Sequence, residues 1–297
     1  QKIMTTLNWK DRGTFYSVSN KKIFVIDEGT SKDVLVILHG YPTSSFDYEK
    51  ILPELSKHYR VIIHDHPGFG FSDKPDSLTY SLIDQADFAL QLWYKMGLKE
   101  VTILAHDYGT SVAKEILARK NHNQITIKIK KVFLCNSSKR LEYFHLRNMD
   151  QLLKNKRLGS FIAQLEANGV RKIKKKITIE NQPKNDIQKV WNNLNSDEGK
   201  KEVHLLSNFI NQHYTFWHRW AQALKESKIP IKIIWERNDP SAVKEIAIVL
   251  ATENGNHNLE WLENTRHYSI LDTPKHWLKL VFKFNCGGTI TKKPKSS

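Results

Sequence analysis

The chain has 297 residues, a length that suits one large α/β domain or two smaller ones. Hydrophobic residues make up 40% of it and charged residues 26%, and no segment approaches the roughly 18–20 uninterrupted apolar residues that a membrane helix needs. The net charge of +15 favours anionic partners, but no zinc finger, RNA-binding motif or phosphate loop accompanies it, so we expect no nucleic acid to bind.

Strand-like and helix-like segments alternate from the N-terminus to residue 135. Short β-branched runs indicate strands, and apolar residues at helical spacing between them indicate helices. This alternation predicts an α/β fold with a mainly parallel sheet covered on both faces. In chain order, the predicted segments are the strands KKIFVIDEG and DVLVILHG, the helix FDYEKILPELSKH interrupted by Pro53, the strand YRVIIHD, the helix SLIDQADFALQLWYKMG, the strand VTILA, a helix to about Lys120 and the strand IKKVFLC.

The alternation stops at Asn136. From there to about Lys225 the sequence is polar and mostly helical in pattern. The strand pattern resumes at IPIKIIWE and is followed by a helix, the strand NLEWLE and a last helix. We therefore predict one core domain interrupted by a helical cap. The predicted division is residues 1–135 and 226–285 for the core, 136–225 for the cap and 286–297 for a disordered tail.

Cysteine usage and one basic run bear on where the protein resides. Cys135 lies in the apolar run VFLCN and is predicted to be a buried thiol, and Cys286 is the only other cysteine. Two such cysteines do not make a disulfide framework, and QKIMTTLNWKDRG lacks an apolar leader, so we expect a cytoplasmic protein. The dense basic run Arg171–Lys176 could give a weak contact with an anionic membrane, although a solvated face is the ordinary explanation.

Three residues follow predicted strands in the order nucleophile, acid, histidine. Asp107 lies in AHDYGT at a strand-to-helix turn, Asp239 follows IKIIWERN, and His267 follows LEWLENTR. Taken singly, Asp107 could be a helix N-cap, Asp239 a turn residue and His267 a surface histidine. In this order, each after a strand, they predict the catalytic triad of a nucleophilic hydrolase.

Two backbone amides are predicted to form an oxyanion hole beside this triad. The loop HGYPTSS follows a strand and would supply the N–H of Tyr41, and the residue after the nucleophile would supply the N–H of Tyr108. Another loop, DHPGFGFSDKP, is interpreted as structural, because its glycines suit a tight turn and none of its residues needs to touch a substrate.

These motifs resemble those of the α/β-hydrolase superfamily, in the branch with an aspartate nucleophile that contains epoxide hydrolases and haloalkane dehalogenases. AHDYGT fits the pattern small–x–nucleophile–x–small–small, and HGYP fits the H-G-x-P motif of epoxide hydrolases. The likeness runs from about Trp9 to Phe284 and is greatest to the mesoderm-specific transcript group. It implies an α/β-hydrolase fold with an inserted helical cap and the active site between the two.

An aspartate at the nucleophile position selects the chemistry. A carboxylate that attacks an epoxide or an alkyl halide forms an alkyl ester, whereas attack on a carboxylic ester would form an unfavourable anhydride. The resemblance implies that His267 then activates a water to hydrolyse the ester on Asp107, while Asp239 orients His267. We expect a small apolar organic substrate and water as the reactants. The chemistry needs no cofactor or metal, and no ligand cluster in the sequence suggests one.

The leaving group separates the two substrate classes. Dehalogenases of this branch typically place a tryptophan just after the nucleophile and often an asparagine just after the H-G pair, where this chain has Tyr108 and Tyr41. The resemblance therefore favours epoxides, with haloalkanes as the alternative. An epoxide oxygen needs a proton donor, and the cap offers Tyr214 and Tyr143 for that role.

Further cap residues could serve the same pocket. His213 and His218 are alternative proton donors, and Trp217 and Trp220 are candidate substrate-binding walls, although each tryptophan alone could be a packing residue. A third hypothesis, from another class, is a ligand-binding protein of this fold with little turnover. The presence of all three triad residues disfavours it, because binding alone needs no triad. The sequence leaves the oligomeric state open.

Overall fold

The computed structural model describes residues 6–41, 43–75, 78–136, 209–237, 244–252, 257–263 and 269–283. Its strands are β1 (Thr14–Val18), β2 (Lys21–Glu28), β3 (Val34–Leu38), β4 (Arg60–His64), β5 (Glu100–His106), β6 (Lys128–Cys135), β7 (Ile231–Glu236) and β8 (Asn258–Leu262). They form one eight-stranded sheet in the order β1-β2-β4-β3-β5-β6-β7-β8. Within the described residues, the pairs β1–β2 and β2–β4 are antiparallel and the other pairs are parallel, which confirms the predicted mainly parallel sheet.

Both faces of the sheet are buried, and this explains the unbroken apolar runs of its central strands. Along β3, Val36 and Leu38 pack into one core, whereas Leu35 and Ile37 pack into a second core on the other face. Successive side chains of a strand point to opposite faces. A strand that is covered on both sides therefore needs apolar residues throughout rather than in alternation.

Helices cover both faces. The helices in chain order are α1 (Thr6–Arg12), α2 (Leu52–Leu55), α3 (Leu82–Lys95), α4 (Tyr108–Asn121), α5 (Phe209–Glu226), α6 (Lys244–Thr252), α7 (Ser269–Asp272) and α8 (Pro274–Lys283). Buried residues of α3 to α6 join the core that contains Val36, and buried residues of α1, α2, α7 and α8 join the core that contains Leu35. None of these described helices is long and apolar enough to cross a membrane.

The segment FDYEKILPELSKH forms two short helices rather than one interrupted helix. A 3-10 helix covers Ser45–Tyr48, and α2 begins at Leu52 with Pro53 in its first turn. Proline has no N–H to donate and its ring blocks the preceding turn, so it fits the first turn of a helix and not the interior. The proline therefore starts a new helix here.

The hairpin of β1 and β2 begins with a strand that the sequence pattern did not predict. The β1 residues are mostly exposed and show no clear alternation of apolar and polar side chains. The two strands are joined at Ser19 and Asn20, whose φ angles are 47° and 60°. Positive φ at both central residues is the geometry of a type I′ turn, which fits the twist of a tight hairpin.

The predicted cap, residues 136–225, falls largely outside the described residues. β6 ends at Cys135, which is buried as predicted and has a free thiol. The next described element is α5, which packs along α4. The basic run Arg171–Lys176 and the tail 286–297 also lie outside the described residues. The division into core and cap therefore stays a prediction.

Candidate active site

Asp107 occupies a sharp turn between β5 and α4. Its φ is 49° and its ψ is −114°, a conformation that residues other than glycine rarely adopt. Asp107 is also buried, with 5% of its surface exposed. The turn is fixed by its neighbours: the carbonyl of Asp107 accepts hydrogen bonds from the N–H of Thr110 at 3.0 Å and from its hydroxyl at 2.6 Å. A strained residue held at a strand-to-helix turn is the geometry of a nucleophile elbow.

Two glycines let the neighbouring backbone approach this turn. A Cβ atom on Gly109 would lie 2.1 Å from the carbonyl oxygen of Leu38, and a Cβ on Gly40 would lie 3.0 Å from the Cβ of Asp107. The end of β3 and the start of α4 are therefore in direct backbone contact. This contact explains the glycine in AHDYGT and brings the loop HGYPTSS next to Asp107.

The amides of Tyr41 and Tyr108 converge on one oxygen of Asp107. The Tyr41 N–H donates to Oδ1 at 3.0 Å, and the Tyr108 N–H donates to the same atom at 2.5 Å. These are the two amides that the sequence predicts for an oxyanion hole. Two amides aimed at one oxygen can stabilise negative charge that develops there.

The side chains of the same two tyrosines are largely buried. Burial, with a smaller contribution from the charge of Asp107, raises the pKa of Tyr41 far above its ordinary value. Burial likewise raises the pKa of Tyr108, whose hydroxyl donates to the carbonyl of Tyr80 at 3.4 Å. Both phenols therefore stay protonated at neutral pH. The Tyr41 phenol is therefore close enough to interact electrostatically with Asp107. The sequence had suggested a role only for the Tyr41 amide.

His39 anchors the loop that carries Tyr41. Its Nδ1 lies 2.9 Å from the carbonyl oxygen of Gly40, and its Nε2 lies 3.0 Å from the N–H of His66. Because a carbonyl only accepts and an amide N–H only donates, the ring is neutral with its proton on Nδ1. Sequence reasoning missed this role, although a histidine directly after an apolar strand was a signal that could have found it.

Three buried histidines lie together beneath the site. The ring of His66 is 4.4 Å from that of His39 and 4.8 Å from that of His64, measured between centroids. Burial lowers the pKa of His64 to about 3 and lowers those of His39 and His66 as well. All three imidazoles are therefore neutral at pH 7. Across the described part of the chain, no three histidine, cysteine or acidic side chains are arranged to hold a metal ion.

Asp65 holds the loop DHPGFGFSDKP against the site. Its carboxylate accepts from the Ser45 N–H at 2.7 Å and from the Phe71 N–H at 2.8 Å. Gly70 has a φ of +49°, and a Cβ there would lie 2.0 Å from an oxygen of Asp65. These contacts are structural and support the interpretation of this loop as a packing element.

The remaining predicted triad residues follow strands that end at the same sheet edge as β5. β5, β6, β7 and β8 are parallel neighbours, so their carboxyl ends share one edge. Asp239 comes soon after β7 and His267 soon after β8 in the sequence, but both residues lie outside the described residues. Their part in the site stays a prediction.

The structure describes only some of the predicted cap residues. Tyr143 lies outside the described residues, and for Tyr214, which lies on α5, only the backbone is described. Trp217 is half-buried and its ring lies 3.4 Å from that of His218. Trp220 is 2% exposed, and its indole Nε1 donates to Glu115 of α4 at 3.0 Å. Trp220 also packs in the core that contains Val36, which accounts for its burial. Substrate binding by either tryptophan stays a prediction.

The sequence matches the alpha/beta hydrolase fold family over residues 33–274. The chain belongs to this family. LipZ of Mycobacterium tuberculosis is 30% identical over 270 residues, which cover 90% of this chain and 93% of LipZ. The mesoderm-specific transcript homolog protein of Homo sapiens is 33% identical over 248 residues, 78% of this chain and 73% of that protein. The predicted resemblance to the mesoderm-specific transcript group is confirmed.

More distant similarities reach the two predicted enzyme classes. Epoxide hydrolase 2 of Caenorhabditis elegans is 26% identical over 151 residues, which cover 50% of this chain and 41% of that enzyme. The crystal structure of haloalkane dehalogenase DbeA from Bradyrhizobium elkani superimposes with a TM-score of 0.70 at 18% identity and covers 92% of this chain and 96% of that one. At this level of identity the structural likeness establishes the fold alone, and the predicted α/β-hydrolase fold is confirmed.

Proposed function

We propose that this chain hydrolyses epoxides to diols through an alkyl ester formed on Asp107. The observation that carries the proposal is the convergence of the Tyr41 and Tyr108 amides on Oδ1 of a buried carboxylate at a strained turn. An aspartate with only a capping role needs neither the strain nor the second amide from a remote loop. The family assignment supports hydrolase activity and a small organic substrate with water.

In the first step, the second carboxylate oxygen of Asp107 attacks an epoxide carbon. The carbon–oxygen bond of the ring breaks, and the departing oxygen takes a proton from a donor, for which Tyr214 and Tyr143 remain the candidates. The amides on Oδ1 hold the carboxylate with one oxygen bound and the other directed to the substrate. Attack at saturated carbon gives a stable ester, whereas attack at an acyl carbon would give an anhydride.

In the second step, water adds to the carboxyl carbon of Asp107. His267 takes a proton from the water, and Asp239 stabilises the imidazolium that forms. The oxygen that becomes negative in the tetrahedral intermediate is held by the amides of Tyr41 and Tyr108, each worth about 3 kcal/mol by comparison with measured oxyanion donors. The bond between the carboxyl carbon and the substrate oxygen then breaks, His267 returns its proton to that oxygen, and the diol leaves with an oxygen that came from Asp107.

Replacement of His267 by glutamine tests the proposal. This change removes activation of water but leaves the attack by Asp107 in place, so the ester accumulates. Intact-protein mass spectrometry after incubation with aryl and alkyl epoxides, beside bromoalkanes, is expected to show a mass increase equal to a whole epoxide. Peptide mapping is expected to place it on Asp107, and the double variant with Asp107→Asn is the control that forms no adduct.

Other outcomes point to the alternatives. An alkyl adduct from a bromoalkane, with release of bromide, would assign haloalkane dehalogenation instead. Saturable binding of epoxides without any adduct would assign a ligand-binding protein with little turnover. A single turnover in water labelled with oxygen-18 adds an independent check, because the label is expected in Asp107 and not in the first diol released.

A further inference from the structure

A buried carboxylate joins α4, the helix that follows Asp107, to α5, the first described helix after residue 136. The Glu115 side chain, on α4, is 2% exposed. It accepts hydrogen bonds from Nε and Nη2 of Arg219 at 2.9 and 3.1 Å, and from Nε1 of Trp220 at 3.0 Å. Both donors lie on α5. Arg119, one turn further along α4, donates from Nε at 2.9 Å.

This network also reaches α3. The Arg119 guanidinium pairs with Asp87 and donates to the carbonyl of Ile83 at 3.2 Å. Burial raises the pKa of Glu115, but the hydrogen bonds from Arg219, Trp220 and Arg119 outweigh it, so the carboxyl pKa lies below its ordinary value. The carboxylate is therefore charged at neutral pH, and three helices meet around it.

α5 is fixed on the same face at two further points. Near its start, the side-chain oxygen of Gln212 accepts from the N–H of Leu82 at 2.6 Å, at the first residue of α3. Near its end, the carbonyl of Ala223 accepts from the side-chain amide of Asn121 at 2.9 Å. Gln212, Arg219 and Ala223 fall on one side of a helix with 3.6 residues per turn. The contacts with Glu115 lie between these two points.

Glu115 lies on the helix that begins directly after Asp107. Asp107 lies at the start of α4, and Glu115 lies about 12 Å further along the helix axis, from the rise of about 1.5 Å per residue. α5 begins at Phe209, where the described chain resumes after residues 137–208. A rigid joint between α4 and α5 therefore fixes the position of α5 relative to Asp107.

We propose that Glu115 is a positioning residue, which holds α5 in one register on α4 and so sets where α5 carries Tyr214, a candidate proton donor, relative to Asp107. This inference rests on the proposed function. Ester formation needs a donor for the departing epoxide oxygen, whereas ester hydrolysis uses groups of the core. Glu115 therefore acts on the first step and leaves the second step unchanged.

The variant Glu115→Gln tests the anchoring of α5 without any substrate. It keeps the size of the side chain but replaces one carboxylate oxygen, which accepts from Arg219, by an amide nitrogen that can only donate. The attachment of α5 to α4 is therefore weakened. Hydrogen–deuterium exchange in peptides from 209–226 is expected to be faster by about tenfold or more, with β5 unchanged. Glu226→Gln is the matched control, because Glu226 is an exposed carboxylate on the same helix that pairs with Gln222. Unchanged exchange in 209–226 would overturn the proposal.

Single-turnover kinetics test the effect on the reaction. In Glu115→Gln, ester formation on Asp107 is expected to slow on the order of tenfold to a hundredfold, while ester hydrolysis changes by less than about twofold. A loss of folded protein would instead lower both amplitudes and leave both rate constants unchanged. Trp277→Phe, a change in the core on the opposite face, is the control for general destabilisation. Equal slowing of both steps would overturn the positioning role.

A second variant keeps the test decisive if Glu115→Gln folds poorly. Arg219→Gln removes the same contact from a side chain that is 35% exposed, and it is expected to give the same split between the two steps. The double variant is expected to be no slower in ester formation than the slower single variant, because both changes remove one interaction. If no ester forms with Glu115 intact, the proposed function fails, and the exchange measurement still judges the anchoring of α5.

Discussion

Gly109 is a residue of the candidate site at which any side chain would collide with the backbone of a neighbouring segment. A Cβ there would lie 2.1 Å from the carbonyl oxygen of Leu38 and 2.8 Å from that of His39, and neither backbone atom can move without displacing β3. We expect Gly109→Ala to reduce the free energy of unfolding by about 3 kcal/mol, the upper range for overpacking, as measured by urea denaturation.

Gly97 provides the comparison for this prediction. It has a φ of +70° and open space around the position of a Cβ. Gly97→Ala therefore introduces backbone strain without a collision, and its cost is expected to be about 1–2 kcal/mol. If Gly97→Ala proved the more damaging change, the close contact between β3 and α4 would not govern this part of the fold.

The buried histidines make stability depend on pH. Burial lowers the pKa of His64 from 6.5 to about 3, so below pH 6.5 the unfolded chain binds a proton that the folded chain does not. The contribution of His64 is complete above pH 6.5 and is lost progressively as the pH falls toward 3, at about 1.4 kcal/mol per pH unit. Burial lowers the pKa of His39 and of His66 as well, so these residues act in the same direction.

Replacement of His64 by phenylalanine tests this dependence. Between pH 6.5 and pH 4.5 the variant is expected to lose less free energy of unfolding than the parent chain. The difference in slope is about 1.4 kcal/mol per pH unit, which corresponds to one proton, and urea denaturation at each pH measures it. His58→Gln, at an exposed position, is the control for the replacement of a histidine on the surface. Parallel curves for the His64 variant and the parent would mean that folding does not lower the pKa of His64.

At the scale of elements, α3 shows why some boundaries can be predicted. Its first turn is capped by the hydroxyl of Ser81, which accepts from the N–H of Asp84 at 2.9 Å, and the chain turns at Gly97 with φ of +70°. Both signals are local, so the predicted helix SLIDQADFALQLWYKMG is confirmed with its ends. In contrast, β1 is held by pairing with β2 rather than by its own pattern and was not predicted.

Loss of the Ser81 hydroxyl tests the cap. We expect Ser81→Ala to lower the free energy of unfolding by about 1 kcal/mol, because the N–H of Asp84 loses its acceptor. The cost is expected to stay moderate, since Gln212 of α5 accepts independently from the N–H of Leu82. Thermal and urea unfolding would measure the change, with Ser81→Asp as the variant expected to retain stability. Equal losses in both variants would contradict a capping role.

At the scale of the whole molecule, distant segments meet because the sheet brings them together. The Tyr41 amide reaches Asp107 across 66 positions in the sequence, and Arg219 reaches Glu115 across 104. Both contacts depend on the place of β5 in the middle of the strand order, between β3 and β6. The alternation of strands and helices does not specify that order. Strands buried on both faces are apolar throughout, so their sequences do not indicate which strand lies beside which.

The sequence by itself determined the class of fold, the helices with local caps and the motifs around Asp107, Tyr41 and Tyr108, because periodicity, caps and turn residues act over a few positions. Only the tertiary structure decided that two amides converge on one oxygen of Asp107, that His39 is a neutral anchor and that Glu115 binds α5. Each of these contacts joins segments far apart in the chain. Their positions follow from the order of the strands in the sheet, which no local pattern encodes.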